Sequence, residues 1–350
     1  MSLLQGFVRP SLWRADLTLR SPSERRKILV AIPTYRRNEM LERLLDSLNK
    51  LAPPANADVS VVVIDNDKSG CARPVVEKWK SLFSMPLLYE METAPGVTHV
   101  RNHALKMARD FDLLAFIDDD EFAAPEWLAA LVARYDETNA AAVFGPVWSI
   151  YPESTPQWMR DWNVHAIEIT ETRDRKDPGG SGNSLIDMHV VRKLELTFDA
   201  RLSKMGGEDT LFFYQMQDEG YRLTQTKDAS VYEHVPQDRA RVGWLFRRWY
   251  RYGITDALIM SRHNSLTVAR LKAVPNGLVR IGIGALLVTG ATVATLGRNK
   301  RAIYSQFFTL CRGFGMLTFA LGGSYEEYGS ALTRPQFDAD IGAVSPSARG

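Results

Sequence analysis

Leu113-Leu-Ala-Phe-Ile-Asp-Asp-Asp-Glu121 decides how this chain reads: an unbroken apolar run meets four carboxylates without a residue between. A short continuous apolar run suits a strand buried on both faces, where neither side of the sheet meets water. Outward from it the pattern recurs. Ile28-Leu-Val-Ala-Ile32 ends at Pro33, Val59-Ser-Val-Val-Val-Ile64 ends at Asp65, and Leu87–Met91 and Ala141–Phe144 are two further candidate strands. Between them, apolar residues fall at helical spacing in Met40–Leu51, stopped by Pro53-Pro54, and the spacing also predicts helices over Val75–Phe83, Val97–Arg109 and Pro125–Tyr135. The last has proline at a favoured first-turn place. Strands alternating with helices predict an α/β fold: a Rossmann-like, mainly parallel sheet flanked by helices.

The 350 residues, 45% hydrophobic and 24% charged, suffice for one large domain plus an appendage. A formal net charge of +2 gives no polybasic character, so no nucleic acid partner is expected and anion binding must be local. Cys71 and Cys311 lie far apart, with neither a disulfide framework nor zinc-ligand spacing, which suits a reducing compartment. Residues 1–27 lack an apolar core before a small-residue cleavage site, so they read as a lead-in rather than a secretory signal. Beyond Pro152 the pattern loosens. Asp174–Gly182 is a polar, glycine-rich loop, Glu208–Glu219 reads as a helix and Val231–Val235 as a strand.

Ligands of open parallel sheets bind outside the carboxyl ends of the strands. After the first strand comes Pro33-Thr-Tyr-Arg-Arg-Asn38, where a dinucleotide enzyme would carry G-x-G-x-x-G. Its absence counts strongly against a Rossmann oxidoreductase; alone, the segment reads as a turn and helix cap. After the second comes Asp65-Asn-Asp67, equally suited to accepting from a pyrimidine or ribose and to forming an Asx-turn. Asp118-Asp-Asp-Glu121 is different, because clustered carboxylates repel and need countercharge. Hard oxygen ligands suit Mg²⁺ or Mn²⁺, which also bridge diphosphate oxygens, whereas an acidic helix cap would account for one carboxylate and not four. Glu208-Asp209, after Gly206-Gly207, opens a helix and is either a cap or a group that takes a proton from a hydroxyl. His234 is either structural or a metal or diphosphate contact. Gly179-Gly-Ser-Gly-Asn183 is a flexible loop or a backbone-amide cradle.

Together these pieces resemble the family 2 glycosyltransferases of GT-A fold. The features are Ile32-Pro-Thr-Tyr-Arg-Arg-Asn38, Val61-Val-Val-Ile-Asp-Asn66, Gly96-Val-Thr-His-Val-Arg-Asn102, Asp118-Asp-Asp-Glu121, Gly182-Asn183, Gly207-Glu-Asp209 and His234, in family order from Ile28 to Tyr252. The phrase Asp118-Asp-Asp-Glu-Phe-Ala-Ala-Pro-Glu-Trp127 is similar to bacterial exopolysaccharide enzymes of the succinoglycan type. The resemblance implies inverting, metal-dependent transfer of a sugar from a nucleotide sugar, expected to be a UDP-sugar, to a lipid-linked saccharide acceptor. Pro33, Thr34, Tyr35 and Asp65 would line the nucleobase and ribose pocket. Arg101 and Asn102 would lie near the donor, with Asp118 and Asp119. Asp118, Asp120 and His234 would hold a divalent cation, Mg²⁺ or Mn²⁺. Asp209 would be the general base, with Glu208 orienting it, and Gly182, Asn183, Arg248 and Trp249 would serve the acceptor or its loop. Processive relatives carry Q-x-x-R-W; here Leu245-Phe-Arg-Arg-Trp249 replaces the glutamine, which favours single-sugar addition. A metal-dependent nucleotidyltransferase, a nucleotide-sugar hydrolase and a non-catalytic membrane scaffold are the alternatives.

The C-terminal part turns apolar. Gly277–Gly297 is interrupted by Arg280, and its uncharged run Ile281–Leu296 is shorter than the ~20 residues of a usual membrane span. Ile303–Gly323 is broken by Arg312, and the basic Arg298-Asn-Lys-Arg301 lies between the two. If both spanned, that loop would sit outside, against the positive-inside tendency. The expectation is therefore two helices lying in the interface, or a shallow hairpin, at the cytoplasmic face of the inner membrane, with Trp244–Tyr252 at headgroup level. A buried hairpin folded on the soluble part is the other reading. The expected organisation is a lead-in over 1–27, a GT-A catalytic domain over 28–240, membrane-associated helices over 241–330 and a loosely ordered tail over 331–350.

Overall fold

The computed structural model describes residues 25–202 and 206–323. Most of the expected lead-in and all of the expected tail lie outside the described residues. The chain forms two compact units. The first comprises residues 25–150, 165–202 and 208–234; the second comprises 151–164, 206–207 and 235–323. The helical unit therefore takes in a segment well ahead of residue 240. The reason is aromatic packing: Trp158 stacks on Tyr304 with centroids 5.0 Å apart, and Trp162 meets Trp249 at 5.9 Å.

The first unit begins as expected, with β1 (Arg26–Thr34), α1 (Asn38–Leu48), β2 (Ala57–Asp65), α2 (Arg73–Lys80), β3 (Leu87–Met91), α3 (Val97–Met107) and β4 (Leu113–Ile117). It continues through β5 (Glu121–Ala123), α4 (Trp127–Thr138), β6 (Ala142–Phe144) and β7 (Val147–Ile150). In the second unit α5 (Gln157–Trp162) follows; the chain then returns to the first unit as β8 (Arg173–Asp174), β9 (Asn183–Asp187), α6 (Met188–Lys193), α7 (Glu208–Asp218), β10 (Leu223–Gln225) and β11 (Val231–His234). The main sheet has the order β3-β2-β1-β4-β9-β6-β10-β8, and β5-β11-β7 forms a second, small sheet.

β1, β2, β3 and β4 are parallel to one another where they pair, as predicted. β9 departs from that expectation: it lies antiparallel to both β4 and β6. It also takes Asn183 out of the expected loop. Asn183 donates from Nδ2 to the carbonyls of Pro146 (2.9 Å) and Ala229 (2.8 Å) and accepts from the Trp127 indole at 2.8 Å. One buried amide thus ties β9 to α4 and to the approaches of the small sheet.

Alternate residues of each central strand face opposite layers, as strand geometry requires. Ile28, Val30 and Ile32 meet Leu41, Leu44, Leu45 and Trp127 on one side. Leu29 and Ala31 meet Val100, Ala104, Phe198 and Phe212 on the other. The strands therefore carry apolar side chains both ways, and polar residues collect where the strands end.

The second unit packs α8 (Val242–Ile259), α9 (Leu266–Thr295) and α10 (Lys300–Ala320). Small residues set the contact between α9 and α10: a Cβ on Gly284 would lie 2.7 Å from the backbone nitrogen of Leu310. Arg312 donates from Nε to Asp256 at 2.7 Å, so the charge that interrupts α10 in sequence is neutralised inside the bundle. The helix begins at Leu266, ahead of the expected apolar segment, and over its 30 residues it is long and apolar enough to cross a membrane. Its outer face, including Leu271, Leu278, Leu286 and Val293, is exposed.

Replacing Asn183 by Ala removes three hydrogen bonds from a dry position. The Asn183→Ala chain is expected to unfold in urea with a free energy lower by roughly 3 kcal/mol, about 1 kcal/mol for each bond.

Candidate active site

The acid run forms a tight turn at the end of β4. The backbone N–H of Glu121 donates to the Asp118 carbonyl, and that of Asp118 to the Glu121 carboxylate, each at 3.1 Å. Each carboxylate then has its own surroundings. Asp119 points inward, accepting from the Thr34 hydroxyl (2.8 Å), the Tyr35 backbone (3.4 Å) and the Arg37 guanidinium (2.9 Å). Asp120 accepts from the same Arg37 nitrogen at 2.7 Å. Burial pushes the Asp119 carboxyl up to about 6, even though Arg37 pulls the other way. Glu121 is also held well above the ordinary range, by burial first and then by Asp118, Asp120 and Glu233. Arg37, read from the sequence only as part of a turn, is thus a principal countercharge of the acid run.

Asp118 approaches two separate stretches of chain. Its carboxylate lies 3.8 Å from the guanidinium of Arg101 on α3, and Arg101 in turn makes a buried ion pair with Glu208 at the start of α7. A Cβ on Gly182 would lie 2.8 Å from Asp118 Oδ2, so glycine is what lets the loop approach. Beside Glu208, Asp209 accepts from the Thr210 backbone through Oδ1 at 2.7 Å. Its Oδ2 faces Gly180 and Ser181, the latter N–H standing 3.4 Å away. The Ser181 hydroxyl is buried without a hydrogen-bond partner among the described residues. Burial raises the Asp118 carboxyl, opposed by Arg101 and reinforced by Asp120, yet its side chain remains 39% exposed. Its carboxylate is therefore still accessible from solvent.

Several residues expected at the site do other work. Asp65 is wholly buried, and accepts from the backbones of Asp67 and Ala72 (both 2.9 Å) and the Tyr89 hydroxyl (3.0 Å). Its carboxylate shapes the loop after β2, the Asx-turn alternative. Asn102 clamps the backbone of Phe198, donating to its carbonyl and accepting from its N–H, each at 2.8 Å. Pro33 is buried within β1, whereas the Tyr35 ring is 53% exposed with the Arg36 guanidinium 5.2 Å from its centroid. In the helical unit Trp249 is buried among aromatic rings, and Arg248 donates to the Tyr252 hydroxyl at 2.5 Å.

The expected trio of metal ligands is not assembled: among the described residues no three His, Cys, Asp or Glu side chains are grouped to hold a metal ion. The His234 ring lies 5.5 Å from that of Phe122 and lines a cavity against α1 that Asp118, Asp119 and Asp120 do not border. A hard cation does not need such a trio. Mg²⁺ is commonly held by one or two carboxylates, with phosphate oxygens and water completing the shell. Asp118 and Asp120 supply that chemistry, in a cluster where carboxylates outnumber guanidiniums, so the residues present fit a cation that arrives with a diphosphate.

Arg37 answers two inward carboxylates at once. Arg37→Ala is expected to lower the unfolding free energy by about 2 kcal/mol, less than a fully buried pair would lose because the guanidinium is partly exposed. Urea titration at neutral pH measures it.

Known proteins share this sequence pattern and fold. The family described as "Glycosyl transferase family 2" matches residues 29–193. The succinoglycan biosynthesis protein ExoM of Rhizobium meliloti (strain 1021) is 34% identical over 240 residues, covering 69% of this chain and 77% of that protein. The poly(ribitol-phosphate) beta-N-acetylglucosaminyltransferase TarS of Staphylococcus aureus (strain Mu50) is 24% identical over 206 residues, 59% of this chain but 35% of that one. Among solved structures, the mannosyltransferase PcManGT from Pyrobaculum calidifontis in complex with GDP-Man and Mn²⁺ superposes with a TM-score of 0.54 at 18% identity, over 87% of this chain and 90% of that one. This likeness is one of fold. With the extent of the match to ExoM, it establishes that the chain belongs to glycosyltransferase family 2 and has the GT-A fold.

Proposed function

We propose that the protein is an inverting glycosyltransferase that moves a sugar from a nucleotide sugar, a UDP-sugar by family resemblance, to a lipid-linked saccharide in exopolysaccharide or cell-surface glycan synthesis. The observation that carries the reading is the convergence of Asp118, Asp209 and the Gly180–Gly182 loop, held by the Arg101–Glu208 pair. A single-displacement transfer needs one base, a cleft for the donor and charge to meet the leaving diphosphate.

Asp209 acts as the base. With Oδ1 tied to the Thr210 N–H, its Oδ2 is turned to the loop and takes the proton of the acceptor hydroxyl. The hydroxyl oxygen then bonds to the anomeric carbon from the face opposite the diphosphate. The old carbon–oxygen bond breaks with its electron pair leaving on the diphosphate, and the configuration inverts. Glu208, paired with Arg101, orients the start of α7. Asp118 and Asp120 would hold a divalent cation, which supplies countercharge for the diphosphate when bound. The exposed Tyr35 ring offers a face for the nucleobase.

The exposed apolar face of α9 supports a membrane-facing role for the helical unit and hence a lipid-linked acceptor. The domain assignment follows: transfer by the first unit, membrane association by the helices of the second, at the cytoplasmic face where nucleotide sugars are found.

Membrane fractions supplied with a panel of labelled nucleotide sugars and lipid extracts test the activity, and the anomeric configuration of the product tests inversion. In Asp209→Asn, transfer is expected to fall on the order of 10³-fold while calorimetric donor affinity is retained; full activity would reassign the base. Asp120→Ala is expected to weaken donor binding in the presence of Mn²⁺ and leave metal-free binding unchanged; calorimetry in both conditions checks this.

A further inference from the structure

A cavity of about 560 Å³ lies at the turn between α9 and α10, lined by Trp158, Asp161, Thr295, Arg298, Lys300 and Arg301 along with Asn299. Arg298, Lys300 and Arg301 are exposed and make no ion pair among the described residues. The one carboxylate in the lining, Asp161, already accepts from Gln157 at 2.6 Å. Three cations therefore surround a hollow with a single anion to answer them. Leu286 and Val293 on the outer face of α9, and Leu296 just after its end, are 75%, 68% and 78% exposed.

We propose that this turn holds the phosphate of an anionic phospholipid headgroup, with the outer face of α9 lying among the acyl chains beside it. A soluble anion would answer the cations but leave the apolar face in water. A neutral bilayer would cover the face but leave the cations unmatched. An anionic bilayer answers both, because its phosphates lie directly above its hydrocarbon. The Trp158–Tyr304 stack at the same end of the bundle is of the ring type that settles at headgroup depth. A transmembrane α9 fits less well, since one crossing would carry all three cations to the far side, against the charge bias of membrane helices. The headgroup site rests on the membrane-facing role proposed for α9 and adds a lipid chemistry to it.

Flotation of the full chain with vesicles of phosphatidylcholine, alone or mixed with phosphatidylglycerol, tests the site. Wild type is expected to prefer the mixed vesicles. Arg298→Ala/Lys300→Ala/Arg301→Ala is expected to bind mixed vesicles on the order of 100-fold more weakly, about five-fold per cation, and to bind phosphatidylcholine as before. A control lacking other exposed lysines (Lys50→Ala/Lys68→Ala/Lys227→Ala) should behave as wild type, and Leu286→Asp/Val293→Asp should lose both vesicles. Equal binding of the two vesicles by wild type would overturn the site, as would equal losses in the triple variant and the lysine control. Saturable binding of inorganic phosphate without vesicle preference would assign the cavity to a soluble anion and overturn it too. Transfer to a water-soluble acceptor, followed in parallel, is expected to survive the triple variant. Its absence from wild type with vesicle preference intact would remove the transferase reading and leave the lipid site standing.

Discussion

Four carboxylates in a row at the end of a buried strand cannot stand without positive charge. Two unit charges 4 Å apart interact by about 4 kcal/mol at the effective dielectric of a protein surface. The countercharges come from distant sequence: Arg37 from the turn after β1 and Arg101 from α3. Because Arg101 also pairs with Glu208, satisfying the acid run brings the start of α7 to the end of β4. The glycine-rich loop completes the enclosure because Gly182 has no side chain to collide with Asp118. Gly207, at φ +91, supplies the left-handed backbone from which α7 starts, a conformation that side chains resist.

The central parallel strands were legible because each is buried on both faces and reads as an unbroken apolar run. β4 has the boundaries that its sequence predicts, and so does β3, an edge strand that is only partly buried. β9 was not legible: its Asn-Ser-Leu-Ile-Asp is short, begins with polar residues and follows three glycines. Its identity as a strand depends on β4 and β6 accepting it, which is a property of the tertiary fold. The small sheet was hidden for the same reason, since β5 has three residues and gains its pairing from β11.

The site was legible in part. The acid run stands at the end of β4, and α7 starts at Glu208, as the sequence predicts. What sequence could not settle is whether a polar group faces a ligand or the protein. Asp65 and Asn102 have the side chains a donor pocket would use, and both are occupied in holding backbone. Asn183 does the same from inside a strand. Arg37 was overlooked for the converse reason: nothing local marks a guanidinium whose partners lie 82 and 83 residues away.

The two guanidiniums also differ in a way that bears on the chemistry. The Arg101 side chain is 8% exposed and engages Glu208, so it belongs to the scaffold and moves only if α7 moves. Arg37 is 36% exposed and reaches Asp119 and Asp120 from a surface turn. Asp119 keeps the Thr34 hydroxyl and the Tyr35 backbone even without it, whereas Asp120 has no other hydrogen-bond donor among the described residues. Of the acid run, Asp120 is therefore the carboxylate whose countercharge can be exchanged at least cost to the fold. That is the property the role proposed for Asp120, as ligand of an exchangeable cation, requires.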